Sequence, residues 1–522
     1  MEFKFKEWFV GTQTTGLKSI FFLIIILFFI DRVAVFAQSK HGNEWITGRG
    51  SKVKFVNNII STKYDAVTPW HYFTMGNSNI CDTSGRLLLC SDGYNVYDSI
   101  GNYIDGGDTL VPKDYYISKN GFSISSQTSI FLPIDSDLYY FITPAMGDLR
   151  YADCLANNHC AFDLLLYNVI DMKANGGAGK VVKRMEILME HAELSKTQMM
   201  ACRHANGKDW WLLKQGSDSN KIYKFLFKQD TVENHGFQKF DTPVWGVWDL
   251  KGQSVFNQTG NKYATVVQGD TVKGQIFLAD FDRCYGILTY PDTLHAPIIS
   301  GHSPQDSTLL DMTYAGLAFS PDGSKLYAIS QYNIFQYDFS DESWYQVAAL
   351  DTTWAQFQLY NNAYLGPDNK LYIGNFNGLS KQMSVINNPD IKGSGCNFCP
   401  RCLRLDSLGL YAASGTPPCM PNYSLGAQVC WPLAISESNS EPKSMLALYP
   451  NPATDFIKIE SSKKGKAQFI LQDAQGKELL NNALLFIDGK QYLKLPNLAN
   501  GLYSYKIKFT DEIFTGKLNI LK

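Results

Sequence analysis

The 522-residue sequence has almost no charge imbalance: 47 Lys and Arg stand against 49 Asp and Glu, a net charge of −2. That excludes the basic electrostatic footprint of a nucleic-acid binder. Histidine is scarce, at 8 residues. Long apolar runs are lacking too. Residues 20–30 are continuously apolar but reach only about 17 Å as a helix, short of the ~30 Å hydrocarbon core. No transmembrane segment is therefore expected in the mature chain. Catalytic signatures are missing: there is no Gly-x-Ser-x-Gly elbow, no His-Glu-x-x-His, no P-loop and no Asp-x-Asp-x-Asp-Gly calcium loop. No catalytic residue, cofactor site or metal site is assigned on sequence.

What is present points to sheets. Aromatics make up 14% of the chain, with 29 Tyr. Aromatic and β-branched residues suit a pleated, half-buried surface, and an all-β fold is expected. The length points to two or three folding units. Charge is uneven: residues 446–522 hold 11 Lys and 7 Asp or Glu, while residues 1–37 hold 4 basic and 3 acidic groups. The remaining body is mildly acidic, which favours solubility.

Lys4, Lys6 and Lys18 precede the apolar run, and Val35-Phe36-Ala37 follows it. A basic start, a short apolar stretch and small residues before the cut describe a secretory signal peptide over residues 1–37, cleaved between Ala37 and Gln38.

Residues 434–445 are polar and read as a linker. Beyond them, Tyr449-Pro450-Asn451-Pro452 is a turn, and short alternating strands follow, separated by turns at Asp473-Ala474-Gln475-Gly476 and Asn500-Gly501. Six or seven such strands predict a small β-sandwich over residues 446–522. Pro450, Asn451, Pro452, Asp455, Gly476, Gly501, Tyr503 and Lys517 are its marker residues. In order and spacing they resemble the type A C-terminal sorting domain of the type IX secretion system of Bacteroidota. The resemblance implies an Ig-like sandwich, the type IX machinery as partner, passage across the outer membrane, and release or display at the cell surface.

Residues 38–433 contain a repeated unit. Leu317-Ala318-Phe319-Ser320-Pro321-Asp322-Gly323-Ser324-Lys325-Leu326-Tyr327 aligns with Tyr364-Leu365-Gly366-Pro367-Asp368-Asn369-Lys370-Leu371-Tyr372 at an offset of 46 residues. Each reads strand, turn, strand, since Pro presets the first turn dihedral and Gly or Asn accepts positive φ. Weaker copies lie at 79–89, 134–141, 205–213 and 259–265. A period of about 45–55 residues predicts a β-propeller with seven blades favoured and six or eight open. The pattern is similar to the WD40-like or YVTN-type repeats of secreted bacterial propellers. Residues 164–172, 203–211 and 420–426 resemble a group of Bacteroidota surface proteins that join such a propeller to the same sorting domain. That group implies no activity.

Eleven cysteines lie between Cys81 and Cys430. For an exported chain disulfides are expected, with Cys154, Cys160, Cys396, Cys399, Cys402, Cys419 and Cys430 as candidates. Cys154 and Cys160 bracket a short loop and are the favoured pair; the others crowd the last blade, where cross-links would fasten the ring. Connectivity stays open, and an odd count leaves one thiol unpaired. Cys396-Asn397-Phe398-Cys399-Pro400-Arg401-Cys402 also has the spacing of a thiolate metal cluster, which export disfavours. His204 with Asp209 is expected to be structural, and the tryptophans to pack between blades. The leading expectation is a secreted, non-catalytic binding or adhesion scaffold for an unknown protein or glycan ligand. The alternative is a glycan- or peptide-cleaving hydrolase with its site at the propeller channel.

Overall fold

The computed structural model describes residues 39–520 apart from 57–58, 65–70, 159, 218, 243–251, 270–271, 299–313, 351–358, 376–381, 406–415, 431–445, 452, 474, 488 and 511. The expected cleavage point at Ala37 and Gln38, the expected linker and Pro452 lie outside the described residues. Two compact units divide between Val429 and Cys430.

Among the described residues the larger unit holds seven antiparallel sheets, each built from strands consecutive in sequence. The first is Glu44–Thr47, Ser51–Val56 and Ile59–Tyr64; the second is Ser78–Cys81, Leu87–Ser91 and Val96–Asp98. The remaining five have four strands each, opening with Ile130–Pro133, Leu194–Arg203, Ser254–Phe256, Tyr314–Phe319 and Tyr360–Leu365. Among the described residues helix is confined to short pieces such as Lys113–Ser118 and Asp148–Asn157. No helix among the described residues is long and apolar enough to cross a membrane.

Alternation at period two lets each sheet bury both faces. In the fifth sheet Tyr263 and Val267 pack on the fourth, against Trp211 and Leu213. Their neighbours Ala264 and Val266 pack on the sixth, against Leu317 and Leu326. Tyr327 and Ile329 of the sixth meet Leu371 and Ile373 of the seventh. Trp45, Val53 and Phe55 of the first sheet then pack on Tyr372, Met383 and Val385 of the seventh. Trp45 and Tyr372 meet edge to face at 5.1 Å. Ile46 continues to Leu87 and Cys90 of the second sheet, and a common core joins the second, third and fourth. Each sheet thus packs on the next, and the seventh on the first.

The opening strands also meet one another through buried amides. Gln127 exchanges two 2.8 Å hydrogen bonds with the Ser254 backbone. Gln253 accepts from the Leu317 and Ala363 amides at 3.0 and 3.1 Å and donates to the Ala363 carbonyl at 2.7 Å. Ser126 donates to Asn362 at 2.9 Å. Buried polar groups persist in a core when each is hydrogen-bonded, and these bonds tie segments 64 to 236 residues apart in sequence.

All six repeated units are one structural feature, the turn from the first to the second strand of sheets two to seven. In the sixth, Gly323 N–H donates to Ser320 O and Ser320 N–H to Lys325 O, both at 3.0 Å. The fifth repeats this with Gly260 to Asn257 O at 2.9 Å and Asn257 to Lys262 O at 3.1 Å. A side-chain oxygen from Asp82, Asp135, Asn206, Asn257 or Asp322 accepts the following amides. Gly323 and Asn369 take positive φ, 74° and 60°, as the turn requires.

The smaller unit has two sheets. One is Leu446–Tyr449, Phe456–Ser461 and Lys490–Lys494; the other is Gly465–Gln472, Glu478–Phe486, Gly501–Lys508 and Ile513–Ile520. They enclose one core in which Ile457 and Ile459 meet Phe469, Leu471, Ile507 and Leu518.

Candidate functional site

A cavity of about 160 Å³ lies where the opening strands of sheets four to seven end. Residues 200–202, 255–258, 318–319 and 363–367, with Asn369, supply one side; residues 420–425, Ser39 and Gly42 supply the other.

Residues 416–429 follow the last sheet and form an extended strap across the ends of the others. Thr47 of the first sheet donates to Thr416 O at 2.9 Å. Cys419 N–H donates to Asn77 O at 2.9 Å, beside the second sheet. Tyr423 donates its hydroxyl to Phe131 O of the third at 3.0 Å. Gln428 N–H reaches Ala205 O of the fourth at 2.7 Å, and Asn422 donates to Gln258 O at 3.0 Å and Gln258 Oε1 at 2.9 Å beside the fifth. Arg283, 4% exposed, donates to Arg203 O at 2.9 Å and to Gly426 O at 2.5 Å, clamping the strap to the fourth and fifth sheets.

Among the described residues the cavity lining has no acidic, basic or imidazole side chain. Its polar groups are neutral: Gln258, Asn369, Asn422 and serines, among the rings of Phe256, Phe319, Tyr364 and Tyr423. Cys202 is the lining thiol; burial pushes it up to about 12, so it stays protonated at neutral pH and is no nucleophile. The Tyr364 hydroxyl is buried beside Cys419, Gln127 and Asn362.

The sequence had not marked the cavity or the strap's role. The residues it weighed for chemistry sit in hydrogen-bonded turns and packed strands. His204 contacts Cys284 O at 3.1 Å through Nε2 and accepts from Asn206 N–H at 3.0 Å through Nδ1, within its turn. Asp209 accepts from Asn206 at 2.7 Å. Trp210 and Trp211 are buried, donating to Pro133 O and Arg283 O at 3.0 and 2.9 Å. Trp70, Trp245, Trp248 and Trp354 lie outside the described residues.

Cys154 and Cys160 form a disulfide. Cys284 and Cys430 are also disulfide-bonded. The expected cluster of cross-links in the last sheet is not there: Cys396, Cys399, Cys402 and Cys419 are free. The fold carries them apart. Cys396 is buried between the sixth and seventh sheets, while Cys419 is buried on the strap beside Ser78. Cys399 and Cys402 flank a bulge on the outer strand Phe398–Arg404. Among the described residues no group of His, Cys, Asp and Glu could hold a metal ion.

In the smaller unit three marker residues, Asn451, Gly501 and Lys517, meet on the strand Ile513–Ile520. Asn451, following Pro450, donates to Lys517 O at 3.0 Å and accepts from Asn519 N–H at 2.8 Å. Leu495 N–H donates to Asp455 O at 2.8 Å. Gly476 closes its turn at φ 81°, Gly501 pairs with Ile520, and Tyr503 donates to Ala499 O at 2.9 Å. Residues 447–521 match the family model of the secretion system C-terminal sorting domain.

The tail is a type IX sorting domain. The protein is therefore exported to the cell surface or extracellular space, and its tail engages the secretion machinery. No curated protein matches the chain in sequence. Among solved structures, the extracellular domain of BT4673 from B. thetaiotaomicron is similar at 11% identity and a TM-score of 0.38, covering 92% of this chain. This chain spans 56% of that one. A functionally unknown protein from Desulfotomaculum acetoxidans has 12% identity and a TM-score of 0.38 over 73% of this chain and 99% of its own. An exo-β-1,3-galactanase from Phanerochaete chrysosporium has 8% identity and a TM-score of 0.32 over 72% and 91%.

Proposed function

We propose that the exported body is a seven-bladed β-propeller that binds a ligand without turning it over, at the cavity beside the strap. Seven consecutive sheets, cyclic packing and opening strands that share buried amides support the propeller reading. The single observation carrying the binding reading is a pocket of rings and neutral amides with no ionisable acid–base pair. Hydrolysis of a glycoside uses two carboxylates about 5–10 Å apart, and the described lining of the cavity offers none. The smaller unit, an Ig-like sandwich in this reading, serves export alone; residues 1–37 are a signal peptide cut after Ala37.

The test is a polysaccharide, oligosaccharide and peptide panel probed with the chain from Gln38 to Lys522, scored for retention and for cleavage. Saturable retention with the ligand recovered intact is expected. Multiple turnovers of any panel member would defeat the binding reading.

A further inference from the structure

We infer that the cavity beside the strap receives an uncharged saccharide ring. This deepens the binding reading above and rests on it. An acidic or basic ligand would leave water here without a counter-charge, and a buried ion without a partner is strongly disfavoured. A purely apolar ligand would lie against the side-chain amides of Gln258 and Asn369 without using their hydrogen-bonding capacity. A neutral sugar meets both demands. Its axial C–H faces lie on aromatic rings such as Phe319 and Tyr423, while its hydroxyls donate and accept at the amide edge.

The wall is preorganised. Asn422 spends its amide on Gln258, and its Oδ1 accepts from Ser424 N–H at 3.0 Å, so the strap is already fixed in place. Ser424 in turn accepts from Ser39 N–H at 3.0 Å. A rigid wall avoids the ordering cost of binding. The Asn422 bond engages only the oxygen end of the Gln258 side chain, which aims its NH₂ group elsewhere.

The experiment measures binding by titration calorimetry on the chain from Gln38 to Lys522, against neutral oligosaccharides, uronic-acid oligosaccharides and short peptides of matched size. Two variants report on the cavity. Leu365→Trp fills it from a half-buried position, and Gln258→Ala removes one amide. Tyr290→Ala, on an outer strand at 58% exposure, is the remote control. The expected result is binding of a neutral oligosaccharide, weakened tenfold or more by Leu365→Trp and about three- to tenfold by Gln258→Ala, and unchanged by Tyr290→Ala. Thermal unfolding of each variant confirms folding. Cavity-dependent binding of a uronic-acid oligosaccharide or peptide instead would overturn the sugar assignment while leaving the binding reading standing. Neutral-sugar binding indifferent to both cavity variants would overturn the site. Absence of any binding across the panel would overturn both.

Discussion

Lys214 is an ammonium group with no counter-ion. It lies on Trp210–Gly216 with 0% exposure, and its amine donates to the Thr197 carbonyl. Among the described residues no carboxylate pairs with it. Burial alone lowers its pKa from 10.5 to about 7. That gap corresponds to about 5 kcal/mol as an upper bound. Between those values the unfolded chain holds one more proton than the folded chain, so stability rises with pH there and the full penalty stands below pH 7. Replacing Lys214 by Met keeps the volume and removes the penalty, at a cost of about 1–2 kcal/mol for the Thr197 carbonyl left unpaired. Lys214→Met should therefore stabilise the larger unit by about 2–4 kcal/mol at pH 6, and by progressively less toward pH 10. Urea unfolding followed by tryptophan fluorescence at pH 6, 8 and 10 reads this as a midpoint shift with unchanged slope. A variant no more stable than the parent at pH 6, or a gain that does not vary with pH, would refute the argument.

Arg283→Ala should free the strap from the fourth and fifth sheets and cost about 2–4 kcal/mol, since several backbone carbonyls lose a buried donor; hydrogen exchange should rise first at residues 424–429. Asp338→Ala leaves Lys325, its buried partner at 3.3 Å, uncompensated, and should cost about 3 kcal/mol by chemical denaturation. Hydrogen bonds from Ser340 and the neighbouring Lys325 outweigh burial and hold the Asp338 carboxyl down near 2, so its contribution should persist to pH 4 and fade only as pH drops toward 2. Deleting residues 446–522 should strand the body in the periplasm, read by fractionation and surface proteolysis; undiminished display would contradict the role of the tail.

Much of this fold is legible locally. Asp82, Asn257 and Asp322 each sit before a glycine that closes a four-residue turn, so the same hairpin could be read six times from its chemistry. The tail was equally readable at Gly476, which closes the turn that Asp473 opens, whereas the reach of Asn451 to Lys517, 66 residues on, was not. The strap was not. Residues 416–429 make no ladder of their own, and their partners Thr47, Phe131 and Gln258 are 164 to 369 residues away. No periodicity marks a segment whose hydrogen-bond partners lie so far away in sequence. The expected cross-links among Cys396, Cys399, Cys402 and Cys419 failed for the same reason, while the local pair Cys154 and Cys160 was legible. Spacing placed Cys396, Cys399, Cys402 and Cys419 together, but the seventh sheet and the strap send them to different cores. The cavity inherits both difficulties, since its walls come from four sheets and the strap.

The most direct test of the account is a crystal structure of the chain from Gln38 to Lys522 soaked with the tightest-binding oligosaccharide from the panel. The account predicts an intact sugar ring against Phe319 and Tyr423, with hydrogen bonds to Gln258 or Asn369. Ligand density on an outer strand with the cavity empty, or a cleaved product held between carboxylates, would contradict it.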